Sequence, residues 1–236
     1  MKKLLFLFFL LLVISCENKK DEINVRSGIT NTEAAGSAEI KNEDVNNFWK
    51  LYSKSEKNLL SSFNEGDKYQ NKDIAALNEE LKKIDESLEI EIKPNTKEKR
   101  VLTITANGIP ELFPAVIKIA KMAPKDRVWN IEALRQRAEL PIQIEYKDSI
   151  LDSNDTEFSY EVRDNKKIDL KVYYPNNAED NLVITYIFLD GIIGEYDTAK
   201  YISGLELINS KDSNNKYYSL NDLRKVVDEL KNDPKK

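Results

Sequence analysis

The chain has no histidine in 236 residues, and that absence removes more chemistry than any other feature. Ser-His-Asp and Cys-His nucleophilic arrangements are excluded, along with His-ligated zinc and the commonest general base. A single cysteine excludes an internal disulfide, so the folded part must be held by its core alone. Seven glycines leave little material for phosphate-cradling loops, and neither a Walker-type Gly-Lys-Ser/Thr nor a G-x-G-x-x-G occurs. Basic excess is missing too: 36 Lys and Arg stand against 41 Asp and Glu, a net charge of −5. With no basic stripe, nucleic acid is set aside as a partner. No run approaches the roughly 20 apolar residues that a membrane-spanning helix needs.

What is present starts at the N-terminus. Lys2 and Lys3 precede an unbroken apolar run from Leu4 to Ile14, and Cys16 follows Ser15. The run is too short to span a bilayer and has the layout of a secretory signal. Val13-Ile14-Ser15-Cys16 resembles the lipobox of bacterial lipoproteins. Ser15 and Cys16 fit it closely, whereas Leu and then a small residue are more usual at the positions of Val13 and Ile14. The resemblance implies a diacylglyceryl thioether on Cys16, cleavage before it, and often a further acyl chain, palmitate-like, on the new amino group. One acyl chain holds a protein only marginally, but at about 0.8 kcal/mol per buried CH₂ two or three hold it firmly. The expectation is a signal peptide over 1–15 and a membrane contact made through covalent lipid, in the cell envelope and at the outer membrane. Losing Lys2 and Lys3 makes the mature chain two charges more negative, which favours solubility near an anionic membrane over lying flat on it. An ordinary secreted protein with an incidental cysteine is the competing reading.

Residues 17 to 44, rich in Glu, Asn, Ser, Thr, Gly and Ala, cannot bury enough apolar surface to fold alone. With Cys16 they read as a lipidated, disordered tether with a root-mean-square span of ~30 Å. Lys20-Asp21-Glu22 resembles the Lys-then-acids export signal that follows the lipidated cysteine in surface-exposed lipoproteins of some Gram-negative lineages. That resemblance implies display on the outer face; a solvated charge cluster is the plainer reading.

From 45 to 231 the pattern is that of one α+β domain, with sub-halves at 45–137 and 138–231 and a tail at 232–236. Val45, Phe48, Trp49, Tyr52, Leu59, Leu60 and Phe63 recur at helical spacing, and Gly66 suits a C-cap. Ile74, Leu77, Leu81, Ile84 and Leu88 form one stripe on a second helix, so a helical hairpin is expected. A partner-binding coiled coil is the sharper reading of that stripe. A mainly antiparallel sheet should follow. Residues 88 to 135 read β-β-α-β, with strands at 88–92, 101–105 and 129–134 and a helix after Pro114. Alternating runs at 142–146, 158–162 and 168–174 follow. Leu182 to Leu189, apolar on both faces apart from Thr185, reads as a central strand. A short helix over 191–196, a strand over 201–208 and a C-terminal helix capped by Ser219 complete the expectation. Both halves contain β-β-α-β and share an Ile-Thr…Gly-Ile frame, at 104–109 and 184–192, so a duplicated unit is one reading. Sheets that generate such patterns unaided are the other.

Phe48-Trp49, Thr105-Ala106-Asn107-Gly108, Ala123-Pro124, Trp129 and the later Ile192-Ile193-Gly194-Glu195-Tyr196-Asp197 resemble motifs of a group of uncharacterised bacterial α+β domains. The resemblance spans roughly 46 to 230 and implies a fold without an assigned activity.

Carboxylate, Lys, Arg and Tyr chemistry remains. Glu195 and Asp197 would make an acid/base pair if burial split their pKa values. Against this, neighbours two apart on a helix or turn point different ways. Trp129, Arg135 and Arg137, placed on one face of a continued strand, would form an anion- or sugar-binding edge; an arginine snorkelling at a strand end is the ordinary alternative. Asp152 to Glu157 clusters oxygens, but an EF-hand loop needs Gly sixth and Glu twelfth, and Glu157 and Arg163 stand there. Asp148-Ser149-Ile150 and Asp197-Thr198-Ala199 resemble acceptors of a bacterial periplasmic O-glycosylation system, at a length that chance supplies. No cofactor or metal is expected. The reading is a membrane-anchored envelope lipoprotein with a non-catalytic binding or interaction domain, its partner an envelope protein or glycan. The alternative is a carboxylate-dependent hydrolase of envelope glycans or peptides.

Overall fold

Helical periodicity at the start of the domain becomes a 23-residue helix, α1 (Asn42–Asn64), with Glu43 and Asp44 in its first turn where the positive end of the helix dipole favours acids. A computed structural model describes residues 7–8, 40–64, 72–93, 100–125, 128–146, 149–175 and 181–232. Val13 to Cys16, read as a lipobox, and Lys20-Asp21-Glu22 lie outside them. The first turn of α1 takes in Asn42 to Asp44, so helix begins three residues inside the segment expected to be tether. α2 (Lys72–Lys82) follows and packs against α1 through Leu77 and Leu81. Ile84 and Leu88 of the expected stripe fall past its end, because the chain turns over 83–87 to enter the sheet.

The first half then runs β2 (Glu89–Lys93), β3 (Arg100–Thr105), α3 (Phe113–Lys121) and β4 (Trp129–Ala133). β2 and β3 pair antiparallel, and α3 carries the chain across so that β4 lies parallel to β3. Pro110 opens a short 3-10 turn ahead of α3 and Pro114 stands in its first turn, where a missing N–H costs nothing. α1, α2, α3 and this sheet enclose one core, in which Phe48, Tyr52, Leu59, Leu81, Leu102 and Ile119 are at most 1 % exposed. Trp49 donates its indole N–H to the Ile119 carbonyl at 2.9 Å, tying α1 to α3.

The second half opens with a hairpin, β5 (Gln143–Tyr146) and β6 (Ser149–Asp152). Leu7–Phe8 (β1) pairs parallel with Gln143 and Ile144. These two residues lie in the run read as a removable signal, and cleavage before Cys16 would leave β5 and β6 as a two-stranded ribbon. β7 (Glu157–Val162) and β8 (Ile168–Tyr173) pair antiparallel, and two helices, α4 (Leu182–Ile193) and α5 (Glu195–Tyr201), lead to β9 (Ile202–Ile208), parallel to β8. The two-residue β10 (Tyr218–Ser219) extends this sheet beside β7, and α6 (Leu223–Asn232) closes the chain. Ser219 stands at the N-cap of the 3-10 turn that precedes α6, without a side-chain capping bond. A second core, separate from the first, gathers Phe158, Ile168, Val172, Phe188, Leu220 and Val227 around α4 and α6. The fold is α+β, with two cores in one chain.

Leu182 to Leu189 is therefore helix, not the central strand its composition indicated. A continuous apolar run serves a buried helix as well as a buried strand. Here the run extends to Ile193, long enough for a helix, and eight of its residues are buried. The helix expected over 191–196 is divided by Gly194, whose φ of +90° breaks α4 from α5. The shared frame is not equivalent in space either, since Ile104 and Thr105 lie on β3 while Ile184 and Thr185 lie on α4. What the halves do share is connectivity: an antiparallel strand pair, a helical crossover, and a third strand parallel to the second.

Candidate functional site

The strand through Trp129 stops at Ala133 because Leu134 adopts a φ of +62°. Arg135 and Arg137 therefore leave the sheet, and the shared face with Trp129 does not form. Trp129 is 2 % exposed and belongs to the first core. The segment 134–142 becomes the seam between the halves. Leu134 donates its N–H to Ile104 in the first half, whereas Ala138 donates to Gly191 in the second at 2.7 Å. A Cβ on Gly191 would meet the end of the Ile142 side chain at 2.5 Å, so a larger residue there would have to displace it.

Glu195 is the centre of this seam. It opens α5, is 0 % exposed, and reaches into the Thr105-Ala106-Asn107-Gly108 turn of the first half. Its Oε1 accepts from the N–H of Ala106 at 3.1 Å and of Gly108 at 2.9 Å. Its Oε2 accepts from the N–H of Arg135 at 2.9 Å. The Thr105 hydroxyl lies 2.9 and 2.8 Å from the two oxygens. Asn107 and Gly108 hold positive φ values of 51° and 76°, and that left-handed pair aims the turn's amides inward. The Glu195 N–H in turn donates to the Arg135 carbonyl. The carboxylate is thus met by three backbone amides and one hydroxyl.

The Arg135 guanidinium lies next to it. Nε donates to Glu91 at 2.8 Å, Nη1 to Asp190 at 3.0 Å and Nη2 to Asn107 at 2.8 Å. Burial works against its charge, but Glu91, Asp190 and Glu195 outweigh that and hold it more firmly protonated than an ordinary arginine. Burial alone would raise Glu91, yet Arg135 and Lys93 bring it below the usual carboxylate range. For Asp190 burial wins: the carboxyl is raised to about 6 despite Arg135, with the Glu195 charge adding to the rise.

Arg137 forms the outer half of the cluster. It grips Asp228 on α6 with two bonds, of 2.9 and 2.6 Å, and reaches Asp197 at 3.3 Å. Those bonds to Asp228 hold the Asp228 carboxyl low and raise Arg137. Asp197 also pairs with Lys231. Arg137 and Arg224 donate to the Ile193 and Ile192 carbonyls at the C-terminal end of α4, where cations are favoured.

Of the five residues singled out as ligand-binding candidates, Arg135, Arg137, Glu195 and Asp197 thus meet and Trp129 does not. The arrangement is a joint. Glu195 has no free lone pair for proton transfer, and Asp197 is engaged by two cations. Sequence reasoning missed Asp190, Glu91, Asp228 and Arg224. One signal did exist: Asp190 is the single charge in LVITYIFLDGII. The Thr105 to Gly108 turn and Glu195 are the two sides of this contact.

No family model matches the chain, and neither a curated protein nor a solved structure is found similar to it. Elsewhere, Thr198 is buried and donates to the Gly194 carbonyl at 3.0 Å, out of reach of a glycosyltransferase in the folded protein. The backbone of Ser149 pairs with Tyr146 at the hairpin end. Asp152 spends its oxygens on Asn154 N–H and Gln143, as a turn residue does. Among the described residues no group of three acidic or Cys side chains is placed to hold a metal. Two open grooves of about 600 and about 620 Å³ lie along α6 and across β7, β8 and β9. Neither is lined by Glu195, Arg135 or Asp190.

Proposed function

We propose that the chain is a bacterial envelope lipoprotein, anchored by lipid on Cys16, whose domain works by binding or interaction and not by catalysis. One observation carries the anchor: two lysines, an apolar run of signal length, and Ser15-Cys16 in the order a lipobox requires. Among the described residues no helix is long and apolar enough to cross a membrane, so the lipid is the attachment the reading relies on. Support for a non-catalytic domain comes from the seam. The carboxylates best suited to acid/base work are consumed by the contact between halves, and a hydrolase of envelope glycans or peptides would need them free. An outer-membrane position with the domain displayed outward is the finer form of the reading, resting on Lys20-Asp21-Glu22.

The test is metabolic labelling with a clickable fatty acid in wild type and Cys16→Ala, followed by protease treatment of intact cells. Label on wild type alone is the expected result. An unlabelled wild type would overturn the anchor, and labelled protein that resists protease on intact cells would move it to an inward face.

A further inference from the structure

Three carboxylates crowd one guanidinium where the halves meet. Glu91 comes from β2, Asp190 from α4 and Glu195 from α5, and Arg135 on the connecting segment is the cation among them. The three are not equally served. Glu195 is surrounded by four neutral donors, and Glu91 has the Lys93 ammonium at 3.9 Å beside its bond to Arg135. Asp190 has Arg135 at 3.0 Å, with only 5 % of the residue exposed. It also sits in the last turn of α4, where the negative end of the helix dipole opposes an anion. The remaining charges packed nearby, Asp197 on α5 and Asp228 and Lys231 on α6, are occupied with Arg137 and with each other. Arg224 faces backbone carbonyls. No second cation reaches Asp190 from these elements, so the inner cluster carries more negative than positive charge.

We propose that this cluster is a proton-operated latch between the two halves: in a mildly acid medium Asp190 takes a proton from solvent, and the seam tightens. The burial cost of the Asp190 charge, larger than its attraction to Arg135, is lifted together with the repulsion from Glu195, and Arg135 keeps Glu91 and Asn107. The direction follows from linkage. Burial raises the folded-state Asp190 to about 6, against 3.8 as its ordinary value, so the folded protein binds this proton more strongly than the unfolded chain. The stability it contributes is complete below 3.8 and is lost as pH rises through about 6. Glu91 acts in the opposite sense. Its contribution is present above 4.5 and is lost as pH falls through its lowered folded value.

Comparing the full chain with its Asp190→Asn variant isolates the latch, since Glu91 is common to both. Urea unfolding should show the folded-to-unfolded ratio of wild type rising about tenfold, relative to the variant, between about pH 7.5 and about pH 5. Hydrogen exchange of the seam amides Ala138 and Glu195, corrected for intrinsic rates, should gain protection over the same interval in wild type only. Parallel pH profiles for the two proteins would overturn the proposal. If the variant does not fold, carboxyl titration of Asp190 in labelled wild type decides: a midpoint near 6 supports the latch, and one at or below 3.8 removes it.

Discussion

Replacing Glu195 by glutamine keeps the volume and the fold's shape but changes what four donors meet. The amide oxygen can still accept from Ala106 and Gly108 where Oε1 does now. The new NH₂ then faces the Arg135 N–H, a donor that cannot turn away, and the Thr105 hydroxyl, which can rotate to accept. One buried amide is orphaned and the remaining bonds lose their charge assistance. An orphaned buried donor costs about 1–3 kcal/mol, and charge-assisted bonds exceed neutral ones by roughly another 1 kcal/mol, so the loss should be about 2–4 kcal/mol. Alanine is harsher. It takes the carboxylate acceptor from the amides of Ala106, Gly108 and Arg135, roughly 3–9 kcal/mol by the same measure, with water entering the cavity at the lower end. Against a total stability of roughly 5–15 kcal/mol, Glu195→Ala should lose a large share of it and Glu195→Gln a smaller one. Urea unfolding followed by tryptophan fluorescence reads both, because Trp49 and Trp129 sit in the first core. A glutamine variant within about 0.5 kcal/mol of wild type would show that the carboxylate is not what holds the seam.

Two further substitutions probe neighbouring bonds. Arg135→Ala strands Asp190 as a buried carboxylate and leaves Glu91 beside Lys93, and should cost about 3–5 kcal/mol at neutral pH, read by urea unfolding, with part of the loss recovered in mild acid as Asp190 takes a proton. Trp49→Phe retains most of the apolar contact in α1 but removes the bond to Ile119, and a loss of about 1 kcal/mol in thermal unfolding is expected.

How far the sequence could be read depended on the range of the interaction. β2, β3, α3 and β4 were legible because alternation, Pro114 and the helix-stopping Ala123-Pro124 act over a few residues. α4 was not, since its uniform apolarity fits either kind of buried element and only packing chooses between them. Arg135 and Arg137 were expected on one strand face with Trp129, and they bind carboxylates of this chain from a segment outside the sheet. The strand was extended past Ala133 because nothing in the letters of Leu134 marks a positive φ.

The letters alone determined the absence of histidine and of an internal disulfide, the acidic balance and the α+β class, because each follows from composition or from patterns a few residues long. Only the tertiary structure decided that Thr105-Ala106-Asn107-Gly108 and Glu195, some ninety residues apart in the chain, are donor and acceptor of one buried contact. It likewise decided that Asp190 shares the Arg135 guanidinium with Glu91. Both depend on which groups two separately packed cores bring together once water is excluded, and local periodicity carries no record of that.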